Sequence, residues 1–484
     1  MTTGTAAPHQ PWVAGRREGG QESFEVRSPY DGSLVGRVAV TTPEQVERAV
    51  AAAVTAAPRL LTLTAAARAA ALLHVSARLT ERAAEVAEVI GAESGKPVKW
   101  ATAEAARAAS TFQWAAEEAR RWSGTLQRLD TDPVAEGRMA VVRRFPRGPV
   151  LGISPFNFPL NLAAHKVAPA LAVGAPILLK PAPKTPLSAL LLGELLAETD
   201  LPDGSWSVLT VPDDRMADLV ADPRLPVISF TGSGPVGWRI KAAAPTKHVT
   251  LELGGNAAVL VAADWSTEAD LRWAAERIAR FANYQAGQSC IAVQRVYVDA
   301  SLHDRLLEQL VAAVEGLRTG DPRDPATDVG PCINAQSAER VDAWVQEAVD
   351  AGARLRTGGT REGTTYAPTV LTGVPSTAKV VREEVFGPVL VVEPVADLDE
   401  GLARINDSEY GLQAGLFTHD TAVAFRAHRE LHVGGLVVGD VPSYRADQMP
   451  YGGTKASGTG REGPRAAMED LTEERVLVLT GLSL

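Results

Sequence analysis

The stretch Val150-Leu-Gly-Ile153-Ser-Pro-Phe-Asn157-Phe-Pro159 sets a short apolar run directly against a turn bounded by two prolines. An apolar run of this length closed by turn residues predicts a buried strand. Outward from it the chain repeats the pattern at Ala175–Leu179, Val227–Phe230, Ala257–Val261 and Val293–Val298. Helical periodicity occupies Thr42–Leu79, 82–122, 267–286, 302–317 and 337–351, much of it Ala-rich with charges at helical spacing. Strands alternating with helices predict an α/β architecture with mostly parallel sheets. Two segments stand apart. Arg128 to Arg147 alternates polar and apolar residues around Asp132-Pro133, as a projecting hairpin does, and Arg475-Val-Leu-Val-Leu479 reads as one more strand. Isolated strand edges invite pairing, so a partner subunit is expected to cover them.

Composition narrows the class further. The 484 residues are 45% hydrophobic and 22% charged, which suits a globular chain of two to four domains. Lys plus Arg number 48 against 58 Asp plus Glu, giving a net charge of −10 with no block of like charge, so neither nucleic acid nor a membrane surface is an expected partner. Met1 to Gly20 has no apolar core, and no run reaches the ~18 apolar residues of a membrane helix, so the chain is expected in the cytoplasm. The two cysteines, Cys290 and Cys332, make no disulfide framework and no zinc ligand set, and no metal is expected.

Three segments carry residue types suited to chemistry. Cys290, in Gly287-Gln-Ser-Cys290, lies between a helix and a strand; a lone cysteine is either a nucleophile or a small buried hydrophobe. Glu252, in Thr250-Leu-Glu252-Leu-Gly-Gly-Asn256, sits among apolar residues at a strand end, where burial would raise its pKa toward that of a general base, or where it could instead satisfy backbone donors. Asn157 is held between prolines, able to donate to an oxyanion or simply to form the turn.

Together with Leu179-Lys-Pro-Ala182, Phe230-Thr-Gly-Ser233, Glu384-Val-Phe-Gly-Pro388 and Tyr451-Gly-Gly453 followed by Ser457-Gly458, these segments resemble the aldehyde dehydrogenase superfamily, in the family's order, with the likeness running from about Trp12 to the C-terminus. The resemblance implies a Rossmann-like cofactor domain (1–127 and 148–251), an α/β catalytic domain (252–450, with 451–468 returning to the cofactor side) and a small β oligomerisation arm (128–147 and 469–484) that builds a homodimer or homotetramer. It makes Cys290 the nucleophile, Asn157 and the Cys290 backbone N–H the oxyanion donors, and Glu252 the base that hydrolyses the thioester. Lys166 and Glu462 match a proton relay behind that base, or form a purely structural pair.

The same resemblance places NAD or NADP against Ile153, Ser154, Pro155 and Phe156, against Lys180, Ala182, Pro183 and Lys184, against Gly232, Ser233 and Gly237, and against Leu253, Glu384 and Phe386. Lys180 would bind the adenosine ribose and Glu384 the nicotinamide ribose, with Phe386 packed on the ring. Gly232-Ser-Gly-Pro-Val-Gly237 matches a dinucleotide fingerprint formally, but not after the first strand, where that fingerprint belongs. Two departures bear on the cofactor. Strict NAD users often carry Glu where this chain has Pro183, and Lys184 follows, which favours NADP. Pro212-Asp213-Asp214 stands where many members have Pro-Gly, so the adenine contacts differ.

For the substrate, Phe158 matches an aromatic tunnel position, His165 stands where members with apolar substrates carry Trp, Arg107 matches a cation position of the phosphonoacetaldehyde, lactaldehyde and semialdehyde dehydrogenase group, and Arg445 precedes the Tyr-Gly-Gly motif. Convergence of Arg107, Arg445 and His165 would suit a short aldehyde with an anionic group; alternatively Arg107 pairs on its own helix with Glu104. Two further readings stand beside oxidation to the acid: a coenzyme A-acylating dehydrogenase, which generally lacks the deacylating Glu, and a catalytically silent binding protein on the same scaffold.

Overall fold

The computed structural model, which describes residues 7–483, distributes the apolar runs over two sheets. The first runs in the order Arg16–Arg17, Trp12–Val13, Trp206–Val208, Ile177–Lys180, Val150–Ile153, Val227–Thr231, His248–Glu252 and Gly458–Thr459. Its five strands from Trp206–Val208 to His248–Glu252 are parallel. Every residue of Val150–Ile153 and Ile177–Lys180 is buried. The pleat explains why these runs do not alternate: Ile177 and Leu179 enter one core and Leu178 the other, so both faces must be apolar.

The second sheet orders Arg354–Thr357, Thr369–Thr372, Val389–Val395, Arg295–Asp299, Ala258–Val261, Gln413–Phe417 and Gly435–Val438, all parallel except the first. The chain passes between the sheets at residues 253–257, and it returns when Gly458–Thr459 pairs antiparallel with the end of His248–Glu252. The residues between the sheets are therefore those of the Leu-Gly-Gly motif.

Two periodic stretches are each broken in a way that periodicity does not register. The first divides into Pro43–Thr62 and Ala65–Glu81, bent by 115°. Thr64 forces the division by accepting the Ala67 N–H at 3.1 Å, an N-cap that starts a new helix. The second divides into Ala83–Ser94 and Val98–Arg121 at Gly95-Lys96-Pro97; Gly95 has φ +70°, and a Cβ there would lie 2.6 Å from Pro331. No single helix among the described residues is long and apolar enough to cross a membrane.

The projecting segments correct one expectation. Thr472–Thr480 pairs antiparallel with Arg138–Pro146 along nine residues, and Thr125–Arg128 pairs with the other edge, so the chain itself supplies the pairing expected from a partner. The apolar surface of this arm stays open: Leu126, Val476 and Leu477 are 63%, 62% and 58% exposed. Residues 1–6 and 484, the outer ends of the expected cofactor and arm segments, lie outside the described residues.

Candidate active site

In the first sheet the chain builds outward from Val150–Ile153 in one direction, through Ile177–Lys180 to Trp206–Val208, and then places Val227–Thr231 on the opposite side. At such a reversal the loops leave the strand ends in opposite directions and open a crevice. A cavity of about 810 Å³ lies there, lined by Ile153, Ser154, Pro155 and Phe156 from one strand end and by Gly232 and Ser233 from the other. It extends past Lys180, Ala182 and Pro183 at one end, and past Leu253, Glu384 and Phe386 to Asn157, Glu252, Cys290, Arg445, Tyr451 and Glu462 at the other.

Cys290 reaches this cavity through an unusual turn. The helix Glu268–Asn283 ends and Gln285, Ala286 and Gly287 follow with φ of 54°, 53° and 69°. Left-handed backbone is costly for Gln and Ala, so the surroundings must hold it. Gln288 does so in part: its Nε2 donates to the Gln285 carbonyl at 3.0 Å and its Oε1 accepts the Ile333 N–H at 2.8 Å. Tyr284 donates to Ser289 at 2.6 Å, and Asn157 donates Nδ2 to the Gln288 carbonyl at 2.8 Å. The turn packs against the Leu-Gly-Gly motif so closely that a Cβ on Gly255 would stand 2.2 Å from the Cys290 carbonyl oxygen. Cys290 Sγ lies 3.0 Å from Tyr451 Oη. Burial pushes the thiol up to about 12, against the opposing pull of the Tyr451 hydrogen bond.

Glu252 is buried, and neither carboxylate oxygen has a hydrogen-bond partner among the described residues. Burial, with the Glu462 carboxylate adding to it, pushes its pKa well above the usual range. Gly452 leaves room for it, since a Cβ there would lie 2.7 Å from Oε1. Behind it, Lys166 Nζ donates to Thr231 at 2.7 Å, Ser229 at 3.1 Å and Glu462 at 3.1 Å, and Arg445 donates to Glu462 at 3.2 Å. Burial works to raise the Glu462 carboxyl, but Lys166 and Arg445 outweigh it and hold it at about 2.

On the cofactor side, Glu384 accepts the Gly255 N–H at 2.9 Å, and burial raises it to about 7. Phe386, at φ 46°, meets Phe156 edge-on with centroids 5.9 Å apart. The buried Ser154 hydroxyl has no partner among the described residues. Lys180 is buried and pairs with Asp213, which the sequence marked only as a departure. Gly237 and Lys184 do not line the cleft: Gly237 sits under Leu253, where a Cβ would be 2.4 Å from Cδ2, and Lys184 is exposed. Arg239 and Arg340 do line it, and neither belongs to a motif that could have announced it.

Two of the four expected substrate residues, Arg107 and His165, meet on Asp447, while Arg445 alone of the four lines the cavity and Phe158 and Arg107 do not. Arg107 donates Nη2 to Asp447 at 2.9 Å, and His165 Nε2 lies 3.2 Å from the same oxygen. Arg107 therefore pairs across the fold and not with Glu104 of its own helix, because Glu104 is buried against Lys96 and accepts the Leu160 and Asn161 N–H groups. His165 is fully buried behind Asp447 and lines no part of the cavity, so it does not make a tunnel wall more polar. Burial, helped by Arg445, lowers its pKa to about 4, while burial of the Asp447 carboxyl is overcome by His165 and Arg107, which lower it. Phe158 carries the Lys96 ammonium 3.8 Å above its ring. Arg445 lies at the cavity wall, 3.8 Å over the Tyr451 ring, and its Nε–H has no partner among the described residues.

A model of the aldehyde dehydrogenase family matches residues 13–477. A 3-sulfolactaldehyde dehydrogenase of Priestia aryabhattai is 46% identical over 352 residues, 72% of this chain and 73% of that protein. The crystal structure of aldehyde dehydrogenase 21 from Physcomitrella patens, in complex with the reaction product succinate, superposes with a TM-score of 0.96 at 42% identity, covering 99% of this chain and all of that one. The NADP-dependent glyceraldehyde-3-phosphate dehydrogenase of Bacillus halodurans, complexed with NADP, superposes with a TM-score of 0.93 at 34% identity over 98% of this chain and 100% of that one.

Proposed function

The chain belongs to the aldehyde dehydrogenase family and oxidises aldehydes with NAD or NADP, and we propose that its substrate is a short aldehyde bearing an anionic group, oxidised through a thioester on Cys290. The cleft suits the dinucleotide. Among the described residues Ser154 offers a buried hydroxyl without a partner, Glu384 and Lys180 offer hydroxyl-binding groups, and Gly232 and Ser233 line the cleft just before the N-terminus of the helix Gly234–Ala243. When bound, the cofactor supplies a hydride acceptor. The chain's own residues do the rest. Cys290 attacks the carbonyl carbon, Asn157 and the Cys290 N–H hold the oxyanion, and Glu252, whose pKa burial raises above that of an ordinary carboxylate, takes a proton from the water that hydrolyses the thioester.

The observation that carries the anionic substrate is Arg445, a buried guanidinium on the wall shared with Cys290 whose Nε–H is unpartnered. The names of the relatives agree, since sulfolactaldehyde bears a sulfonate and succinate a second carboxylate. Succinic semialdehyde or phosphonoacetaldehyde is expected to show a higher kcat/KM than a neutral aldehyde of similar length. A charge-assisted hydrogen bond contributes about 1.5–3 kcal/mol, so Arg445→Gln should cost the anionic substrate ten- to hundredfold more than the neutral one. Arg107→Ala should act in the same direction and more weakly, through Asp447. Equal losses for both substrates would reduce the protein to a general small-aldehyde enzyme.

NADP is favoured over NAD on the ground of Pro183, which leaves no carboxylate at that position to repel a 2′-phosphate. A coenzyme A-acylating role fits poorly with a retained Glu252. The exposed apolar arm supports assembly into a homodimer or a dimer of dimers, because Leu126, Val476 and Leu477 need cover. Light scattering at micromolar protein is expected to give at least twice the 51.1 kDa of one chain; a monomeric mass would refute the assembly.

A further inference from the structure

Tyr451 stands closer to the nucleophile than any reading of its motif suggests. Its Oη lies 3.0 Å from Cys290 Sγ, and that sulfur is its sole side-chain hydrogen-bond partner among the described residues. The ring is buried, packed with Ile291 and Leu412, and the Arg445 guanidinium lies 3.8 Å over its face. We infer that Tyr451 is a positioning residue for the reaction: it donates its phenol hydrogen to the Cys290 thiolate, orients the sulfur, and is made a stronger donor by the cation stacked on its ring. This rests on the reading of Cys290 as nucleophile.

The physical case begins with what surrounds the sulfur. Burial most of all, and the Glu384 and Glu252 carboxylates with it, disfavour a negative charge on it, while the Tyr451 hydroxyl and then Arg445 favour one. Tyr284, the other phenol nearby, is engaged with Ser289. A hydrogen bond to a charged acceptor is roughly twice as strong as a neutral one, so the contact gains strength when the thiol ionises. Tyr451 is no proton acceptor in this scheme. Burial and the nearby sulfur push its own pKa well above the ordinary phenol value, so the hydrogen stays on Oη and the proton lost from Sγ passes to water in the cleft. The cation over the aromatic face draws electron density from the ring and polarises the O–H bond further.

The test is the pH dependence of Cys290 alkylation by iodoacetamide in the full-length enzyme. Tyr451→Phe keeps the ring, its packing and its cation, and removes the hydroxyl alone. The inflection for alkylation is expected to move up by at least one pH unit, with kcat/KM at neutral pH falling ten- to hundredfold for anionic and neutral aldehydes alike, and with KM and the thermal midpoint nearly unchanged. A profile superimposable on that of the native enzyme overturns the inference. Should the Phe variant fail to fold, Arg445→Lys, which keeps a cation and loses the planar stack, is expected to raise the inflection, and an unmoved inflection there overturns it as well. Cys290→Ala separates the two levels. Turnover surviving in Cys290→Ala sinks the nucleophile itself, whereas turnover lost there beside an unmoved Tyr451→Phe profile sinks Tyr451 alone.

Discussion

Cys290→Ala is expected to bring aldehyde oxidation down to background, a loss on the order of 10⁴ or more, because no other group can form the covalent intermediate. The fold should survive the change. Cys290 is only half-buried and its side chain makes one hydrogen bond, to Tyr451. Its neighbours in the turn are held by hydrogen bonds of Gln288, Tyr284 and Asn157 to groups other than the sulfur. Binding of NADP and the thermal midpoint should therefore stay close to the native values. Cys332→Ala supplies the contrast. That thiol is fully buried and lines no part of the cavity, so its removal should cost at most about 1 kcal/mol of stability and leave turnover nearly intact. Formation of reduced cofactor, followed by absorbance, checks both variants. Sustained oxidation by Cys290→Ala would end the covalent mechanism.

Glu252→Gln is expected to separate the two halves of the reaction. The variant should release about one equivalent of reduced cofactor per active site and then stall at the thioester, with steady-state turnover lowered by roughly 10² to 10⁴. Gln fits where Glu252 sits, since both oxygens lie in space without partners and Gly452 still leaves the room. The pH dependence gives a second reading of the same residue. Burial and Glu462 raise the pKa of Glu252, so its protonated form prevails at low pH and the base appears only as pH climbs through that raised value. Native deacylation should therefore rise with pH along a limb set by Glu252, and the variant should lack that limb. A variant that fails to give the burst would place Glu252 in the first half-reaction instead.

Much of the architecture was legible because it is written in short windows. Val150–Ile153 and Ala175–Leu179 read as buried strands because a strand covered on both faces must be apolar, and the observed strands are Val150–Ile153 and Ile177–Lys180. The helices were legible as periodicity, but their breaks at Thr64 and Gly95 were not, because an Ala-rich pattern continues across them while a cap and a left-handed residue change the direction of the chain. The family motifs singled out Asn157, Glu252 and Cys290 as residue types, whereas the left-handed run at residues 285–287 that brings Cys290 into the cavity leaves no mark in hydrophobic pattern.

What the amino-acid sequence determined by itself was thus the class of fold, the family, and the kinds of side chain available for chemistry, since each depends on residues within a few positions of one another. Tertiary structure alone decided which charges meet. Arg107 finds Asp447 and Lys180 finds Asp213, and with 58 acidic residues in the chain no spacing rule could have selected those two. It also decided that the arm's strands pair with each other, and that His165 lies behind the site and not in it. The reason is physical: local conformational preferences act between neighbours, but the partner of a buried charge or an open strand edge is whichever group the packed fold brings within a few ångströms.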